Sequence, residues 1–191
     1  MLSPRVEVKR QAKRKDIMKF RKVDKRDLQL NPVSMFGSDW PLLTSGNFED
    51  GYNTMTIAWG HIGAIWNKGS ITVYVRPQRY TKDFVDRNEL FTVSVLPSKY
   101  KDELAYLGKV SGRDEDKVAK VGLTPIFDRD TTYFAEAELV FICRKLYQAQ
   151  IKEANFLDHS LRDEVYPEKD FHTMYIGEIV EILEPDSGKD N

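Results

Sequence analysis

Segments rich in β-branched and aromatic residues alternate with polar turns along most of the chain, which is typical of a protein built from strands. The clearest strand is the segment 71–75, Ile-Thr-Val-Tyr-Val, which Gly69 and Pro77 bound. Further strands are predicted for a short piece of residues 33–44 and for residues 90–96, 134–147 and 174–183.

The helices are predicted to be short and to lie between these strands. Thr81 is the expected N-cap of a helix over residues 81–88. Other helices are expected over residues 98–107 and 114–121, and residues 155–165 are expected to form a loop or a short helix. Together these elements indicate an α+β, mainly β domain, in which short helices lie outside an antiparallel barrel.

The composition is that of one globular domain: the chain has 191 residues, of which 41% are hydrophobic and 31% are charged. No apolar segment approaches the roughly 18 residues of a membrane helix, and no secretory signal follows the basic N-terminus. Cys143 is the only cysteine, which excludes an intrachain disulfide and fits a cytoplasmic location. With one cysteine and three widely spaced histidines, we expect no metal site.

The charge is distributed unevenly along the chain. Residues 1–26 hold 11 Lys and Arg against 3 Asp and Glu, whereas the remainder holds 18 against 27. A basic arm on an acidic body is compatible with contact to nucleic acid or an anionic membrane, but the simpler interpretation is a solvated, disordered tail.

A third hypothesis is that residues 1–17 are not native and that translation begins at Met18. We therefore divide the chain into a basic extension (1–17), one domain (18–186) and a polar tail (187–191). We expect neither nucleic acid nor a membrane as a partner.

The loop from Arg76 to Thr81 is a candidate anion site. A strand ends, the chain turns, and a helix begins near Thr81, so that free backbone N–H groups of the first helical turn would favour a phosphate. Arg76 and Arg79 would add charge-assisted hydrogen bonds. The alternative is a surface loop whose arginines form ordinary salt bridges.

The segment from Asn53 to Gly60 is a second candidate, because it places small polar residues beside Met55 and Trp59. A flat aromatic ligand could rest there against backbone amides, although Met and Trp more often belong to a core. A ring site and a phosphate site in one small domain suggest a mononucleotide, and FMN is the best candidate.

Three further features carry candidate chemistry. Ser111 and Gly112 lead into a helix on which Lys117 could reach an oxygen or a phosphate, although a capped surface helix is the simpler interpretation. His61 and His172 are candidates for proton transfer, but a lone histidine is more often structural. Cys143 is expected to be a buried and unreactive thiol.

Five segments in this order resemble the flavin reductase-like family of FMN-binding split barrels, and most closely its flavoredoxin-like branch. They are Asn53–Thr56 with Trp59-Gly60, Val73–Thr81, Ser111–Asp114 with Lys117, Cys143–Gln148, and Met174–Ile179. The resemblance covers about residues 19–183 and implies a six-stranded split barrel that dimerises, with FMN bound non-covalently near the interface.

The resemblance also implies roles for individual residues. The isoalloxazine ring would lie against Asn53, Thr54, Met55 and Thr56, largely through their backbone, with Trp59 nearby. The phosphate would be held by Arg76, Arg79, Tyr80 and Thr81, and Ser111 and Lys117 would contact the ring or the phosphate from the other side. Gln148 and the Phe171-His172 region would approach the open face of the ring, and His61 stands where the family often has a small residue.

The implied function is an FMN-dependent oxidoreductase that passes electrons from a donor such as NAD(P)H to an acceptor. Because the chemistry would belong to the flavin, no acid–base pair is required of the protein. The alternative is a non-catalytic FMN-binding module that exchanges electrons with a protein partner.

Overall fold

A computed structural model describes residues 19–186. The basic extension, Met18 and the tail 187–191 lie outside the described residues, so the hypotheses about them stay predictions. Among residues 19–186, no helix is both long and apolar enough to cross a membrane, and no cluster of three or more His, Cys, Asp and Glu side chains could hold a metal ion.

Ten antiparallel strands lie within residues 19–186. They are β1 (Phe20–Lys22), β2 (Leu42–Asn47), β3 (Gly51–Thr56), β4 (Gly60–Ile65), β5 (Lys68–Val75), β6 (Leu90–Val95), β7 (Pro125–Arg129), β8 (Thr131–Phe134), β9 (Leu139–Gln150) and β10 (Thr173–Pro185). Eight of them make one sheet in the order β3-β2-β6-β9-β10-β5-β4, with β1 paired to β10, and β7 and β8 form a separate hairpin.

The central strands are buried on both faces. On β9, Phe141 and Cys143 belong to one apolar cluster, together with residues of β5, β6 and β10. Val140 and Ile142 belong to a second cluster on the opposite face. Burial on both faces explains why this part of the sequence is continuously apolar instead of alternating.

Five α-helices accompany the sheet in the described part of the chain: α1 (Pro32–Ser34), α2 (Tyr80–Arg87), α3 (Lys101–Lys109), α4 (Lys117–Lys120) and α5 (His159–Val165). Leu104 and Leu107 of α3 and Val118 of α4 pack into the second cluster, together with residues of the β7–β8 hairpin. The predicted α+β, mainly β class with short outer helices is therefore confirmed.

Several local predictions need correction. The resemblance implied six strands, but the large sheet has eight, including β1, which pairs with β10 outside the main strand order. Residues 33–44 do not begin as a strand: the Asn31 side chain accepts hydrogen bonds from the amides of Val33 and Ser34 and caps α1, in which Pro32 occupies the first turn. A π-helical turn, Met35–Asp39, follows before β2 begins at Leu42.

Two further corrections concern boundaries. The predicted strand over 134–147 is divided, because β8 ends at Phe134 and β9 begins at Leu139. The helix predicted over 114–121 is only four residues long in α4, with Asp116 as its N-cap. The thiol of Cys143 is fully buried, as expected, and burial raises its pKa well above the ordinary value.

Candidate functional site

Three of the predicted segments meet beside β3. The Asn53 amide, buried in β3, donates a hydrogen bond to the Thr81 hydroxyl in the first turn of α2, over 2.8 Å. Gly112 lies against the same amide, since a Cβ atom there would be 2.1 Å from Asn53 Oδ1. Thr81 is not the N-cap that the sequence predicted: Arg79 occupies that position, and the buried Thr81 faces inward.

The next three residues of β3 differ in their burial and in their hydrogen-bond partners. Thr54 is fully buried, and its hydroxyl lies 2.8 Å from that of Thr44, while Met55 belongs to the apolar core. Thr56 is half-buried and donates to the carbonyl oxygen of Leu104 over 2.5 Å. Because β3 ends the sheet, one edge of its backbone has no strand partner among the described residues, which leaves it able to meet a ligand.

Two cations converge next to this cluster. Arg79 Nη1 donates to the Gly108 carbonyl over 2.9 Å, and Lys117 Nζ donates to the carbonyls of Leu107 and Val110, each over 2.8 Å. Burial, and then the positive charge of Arg79, lower the pKa of Lys117 to about 8. Within residues 19–186, neither cation is paired with a carboxylate, so an anion at this point would relieve their mutual repulsion.

Arg76, unlike Arg79 and Lys117, is paired with a carboxylate. Its guanidinium forms an ion pair with Asp170 and donates to the Val165 carbonyl over 3.0 Å. Hydrogen bonds from Gln78 and from Arg76 lower the pKa of Asp170. A phosphate would therefore compete with a carboxylate for Arg76 but not for Arg79.

An aromatic group forms the other end of the site. The rings of Trp59 and His172 lie 4.7 Å apart between centroids, and His172 Nδ1 is 2.9 Å from the Tyr166 hydroxyl. Burial, together with the nearby charges of Arg76 and Arg79, lowers the pKa of His172 to about 4. His172 is therefore neutral near pH 7 and cannot serve there as a cationic acid.

The other predicted residues are more peripheral. The Tyr80 ring packs edge-on against Phe84 and lies under the Arg113 guanidinium, 4.5 Å from its carbon. Ser111 Oγ accepts from the Arg113 amide over 3.2 Å. Gln148 is exposed on β9, opposite Tyr175 in the pairing with β10.

An apolar cavity of about 680 Å³ adjoins the aromatic group. Trp59 and Tyr166 are in its wall, as are His61 and Tyr74, whose Nδ1 and hydroxyl atoms lie 3.3 Å apart. Sequence reasoning missed this cavity, because α1, the segment 58–62 and the segment 151–166 come together only in the folded chain. The one local signal was Gly60, where a Cβ would lie 2.2 Å from the ring of Phe36.

The family model for the flavin reductase like domain matches residues 33–191. The chain belongs to the flavin reductase-like family. A search of curated proteins finds no match to it. Family membership supports a flavin-binding oxidoreductase function, without specifying the electron donor or acceptor.

Solved structures of the flavin reductase-like family share the fold. Flavoredoxin of Desulfovibrio vulgaris (Miyazaki F) is 24% identical, with a TM-score of 0.60 over 86% of this chain and 78% of that one. The FMN-binding domain of a flavin reductase-like enzyme from Shewanella baltica OS155 is 16% identical, with a TM-score of 0.60 over 88% and 78%. The styrene monooxygenase flavin reductase from Pseudomonas putida S12 is 16% identical, with a TM-score of 0.56 over 78% and 81%. The expected split-barrel class is thereby confirmed.

Proposed function

We propose that this protein is an FMN-dependent oxidoreductase that passes electrons from NAD(P)H through non-covalently bound FMN to an acceptor. The observation that carries the proposal is the pair of cations Arg79 and Lys117, which lie beside the Asn53–Thr81 hydrogen bond without a carboxylate partner among the described residues. A phosphate monoester is the anion that such a pair fits, because it can accept several charge-assisted hydrogen bonds at once.

The charge of the residues present supports FMN as the ligand. Arg79 and Lys117 would hold the phosphate, with the first turn of α2 contributing backbone N–H groups. The unpaired backbone edge of β3 at Asn53–Thr56 would meet the polar edge of the flavin ring, and the half-exposed indole of Trp59 would offer an apolar contact. When bound, FMN would supply the electron-transfer chemistry.

The protein's own residues would orient the cofactor and fix the charge around it. Lys117 places a positive charge in a buried environment, where it favours negative charge on a ligand. The Arg76–Asp170 ion pair fastens the end of β5 to the segment that precedes β10. It would thereby hold His172 and Trp59 in place, as a positioning element more than as a direct phosphate ligand.

An electron-transfer module that serves a protein partner is the second candidate. The structural neighbours support both candidate functions, since one neighbour is a flavoredoxin and another is a flavin reductase. We further propose a cytoplasmic homodimer with the FMN near its interface. Support for a dimer comes from the exposed apolar hairpin of β4 and β5, where Trp66 is 56% exposed.

The absorption spectrum of the purified protein, followed by chromatography of the released chromophore, tests the cofactor. We expect a flavin spectrum and release of FMN on denaturation. A colourless protein that takes up neither FMN nor riboflavin would contradict the proposal.

Anaerobic mixing of the flavin-loaded protein with NADH or NADPH separates the two candidate functions. Prompt bleaching of the flavin is expected of a reductase. Absent bleaching, combined with rapid reduction by dithionite, would favour the electron-transfer module.

A further inference from the structure

Residues 110–114, which follow α3, run along one side of the proposed anion site. The carbonyl of Val110 accepts a hydrogen bond from Lys117 Nζ over 2.8 Å. Two residues later, Gly112 lies against the Asn53 amide, since a Cβ there would be 2.1 Å from Asn53 Oδ1. We call residues 110–114 the strap, because they cross from the buried ammonium group to the polar residues of β3.

Arg113 fastens the strap to α2. Its guanidinium forms an ion pair with Asp83 over 2.7 Å and donates to the Gln78 carbonyl over 3.3 Å. The guanidinium carbon also lies 4.5 Å from the centroid of the Tyr80 ring. Because these partners belong to the first turn of α2 and to the loop before it, one side chain joins two segments that both border the anion site.

Little else holds the strap in place. None of its residues belongs to either apolar cluster. Among the described residues, Arg113 is the only strap side chain that forms a hydrogen bond with another element. The hydrogen bonds that Ser111 accepts come from the amides of Arg113 and Asp114, within the strap itself. A segment with so few buried contacts opens locally at a small cost in free energy.

The contacts of Arg113 are weak enough to be broken and remade. The Arg113 and Asp83 side chains are 47% and 50% exposed, and an ion pair or a cation–π contact at such a position contributes only modestly to stability. Asp83 also neutralises Arg113, which distinguishes Arg113 from Arg79 and Lys117. These properties suit a fastening and not a direct ligand of the anion.

We infer that Arg113 is a positioning residue that holds the strap closed beside the anion site, so that an anion enters or leaves when Arg113 releases α2. The inference rests on the proposed function for the identity of the anion, which is the phosphate of FMN. Arg79 and Lys117 would set the affinity for that phosphate, whereas Arg113 sets the rate of its exchange.

Two variants that change the net charge in opposite directions test the inference. Arg113→Met removes a positive charge but keeps a long side chain beside Tyr80, and Asp83→Ala removes the negative charge that holds Arg113. Stopped-flow fluorescence of the flavin-free, full-length protein with FMN gives the association rate constant. Recovery of FMN fluorescence after rapid dilution of the loaded protein gives the dissociation rate constant.

Both rate constants should rise by about five- to tenfold in both variants, because each variant opens the strap more often in the free and in the loaded protein. A purely electrostatic effect would instead change each rate constant in opposite directions in the two variants. Arg144→Met is the matched control, since Arg144 is 46% exposed and its ion pair with Glu178 lies on the sheet. The control should exchange FMN as the wild type does.

Hydrogen exchange of the flavin-free protein tests the fastening without any ligand. The amides of residues 112–114 should exchange faster in Arg113→Met and Asp83→Ala than in the wild type or in Arg144→Met. The amides of β9 should keep their protection in all variants, which checks that the fold is intact.

Three outcomes would overturn the inference: a change in only one of the two rate constants, opposite changes in the two variants, and unchanged hydrogen exchange of the strap. Opposite changes would make Arg113 a direct ligand of the phosphate. A wild-type protein that binds no FMN would contradict the proposed function instead, and hydrogen exchange of the strap would then decide alone whether Arg113 fastens it.

Discussion

Lys117 is the residue on which the proposed anion site depends most directly. Its ammonium group is buried, with two carbonyls as acceptors and Arg79 as a charged neighbour. Burial and the neighbouring cation destabilise the charged form of such a lysine, and a bound anion would stabilise it. The protonation of Lys117 and the binding of a phosphate should therefore be coupled.

This coupling predicts a pH dependence of FMN affinity. In the free protein Lys117 loses its proton at a pKa of about 8, and a bound phosphate would raise that pKa by favouring the ammonium form. FMN binding then takes up a proton above about pH 8, so the affinity falls as the pH rises beyond that value. Fluorescence titration of flavin-free protein with FMN measures the effect.

Riboflavin is the matched control, because it has the same ring but no phosphate. The ratio of FMN to riboflavin affinity should fall with rising pH in the wild type, whereas ring titration affects both ligands alike. Lys117→Met should lower that ratio by about tenfold at pH 7 and remove its pH dependence. A ratio that does not change with pH would contradict the assignment of Lys117 to the phosphate.

At the residue scale, the sequence singled out Asn53, Thr81 and the Ser111–Lys117 segment because they are polar residues near strand and helix ends. The fold does bring these residues together, although their roles toward a ligand stay predictions. The Arg76–Asp170 ion pair was not predicted, since the two residues are 94 positions apart. Nothing in the local sequence distinguishes a paired arginine from an unpaired one.

At the element scale, Gly177 allows the backbone of β10 to pack closely against β6 and β9 at a register shift. The pairing of β9 with β10 changes register between Ile176 and Gly177. A Cβ at position 177 would lie 2.5 Å from Phe91 Cζ and 2.9 Å from Cys143 Cβ. Both neighbours are buried in the core, so neither has room to withdraw.

Gly177→Ala should therefore lower the free energy of unfolding by about 1–3 kcal/mol through overpacking. Gly63→Ala is the matched control, because Gly63 also lies in a strand but a Cβ there meets nothing within 4 Å. Urea denaturation should show a change of at most about 0.5 kcal/mol for the control. Equal effects would mean that strand propensity, and not the clash with Phe91, sets the cost.

Elements with a strong β-branched pattern were predicted to within two residues at each end, as β6 and β10 show. Errors fell where a cap or a bend determines the chain's course. A short strand was expected within residues 33–44, but Asn31 caps α1 at the start of that segment. The β4–β5 hairpin turns at Trp66 and Asn67, both with positive φ angles, and no glycine marks that turn in the sequence.

At the scale of the whole molecule, β4 is an edge strand without a charged residue. It pairs only with β5 within the described sheet, and Ile65 and Trp66 at its end are exposed. Soluble proteins normally protect such an edge with charge or cover it. Because β4 begins directly after Trp59, a second copy covering it would pass close to the proposed flavin site.

We predict a homodimer in sedimentation velocity that the double variant Ile65→Lys, Trp66→Lys converts to a monomer. Two buried like charges facing one another across an interface would disfavour association. Phe48→Lys is the control, since Phe48 is 42% exposed in the turn between β2 and β3, at the opposite end of the strand order from β4. A wild-type monomer, or a control variant that dissociates equally, would argue against this interface.

The placement of the site at the margin of the sheet has one more consequence. Asn53 and Thr56 are on a terminal strand and their partners are on short helices, whereas β9 contributes residues to an apolar cluster on each of its faces. The free energy of local opening at a terminal strand is much smaller than the free energy of unfolding the central strands. Binding and release of a cofactor would then require only local opening near β3. The cofactor-free protein would stay folded and could bind the cofactor again.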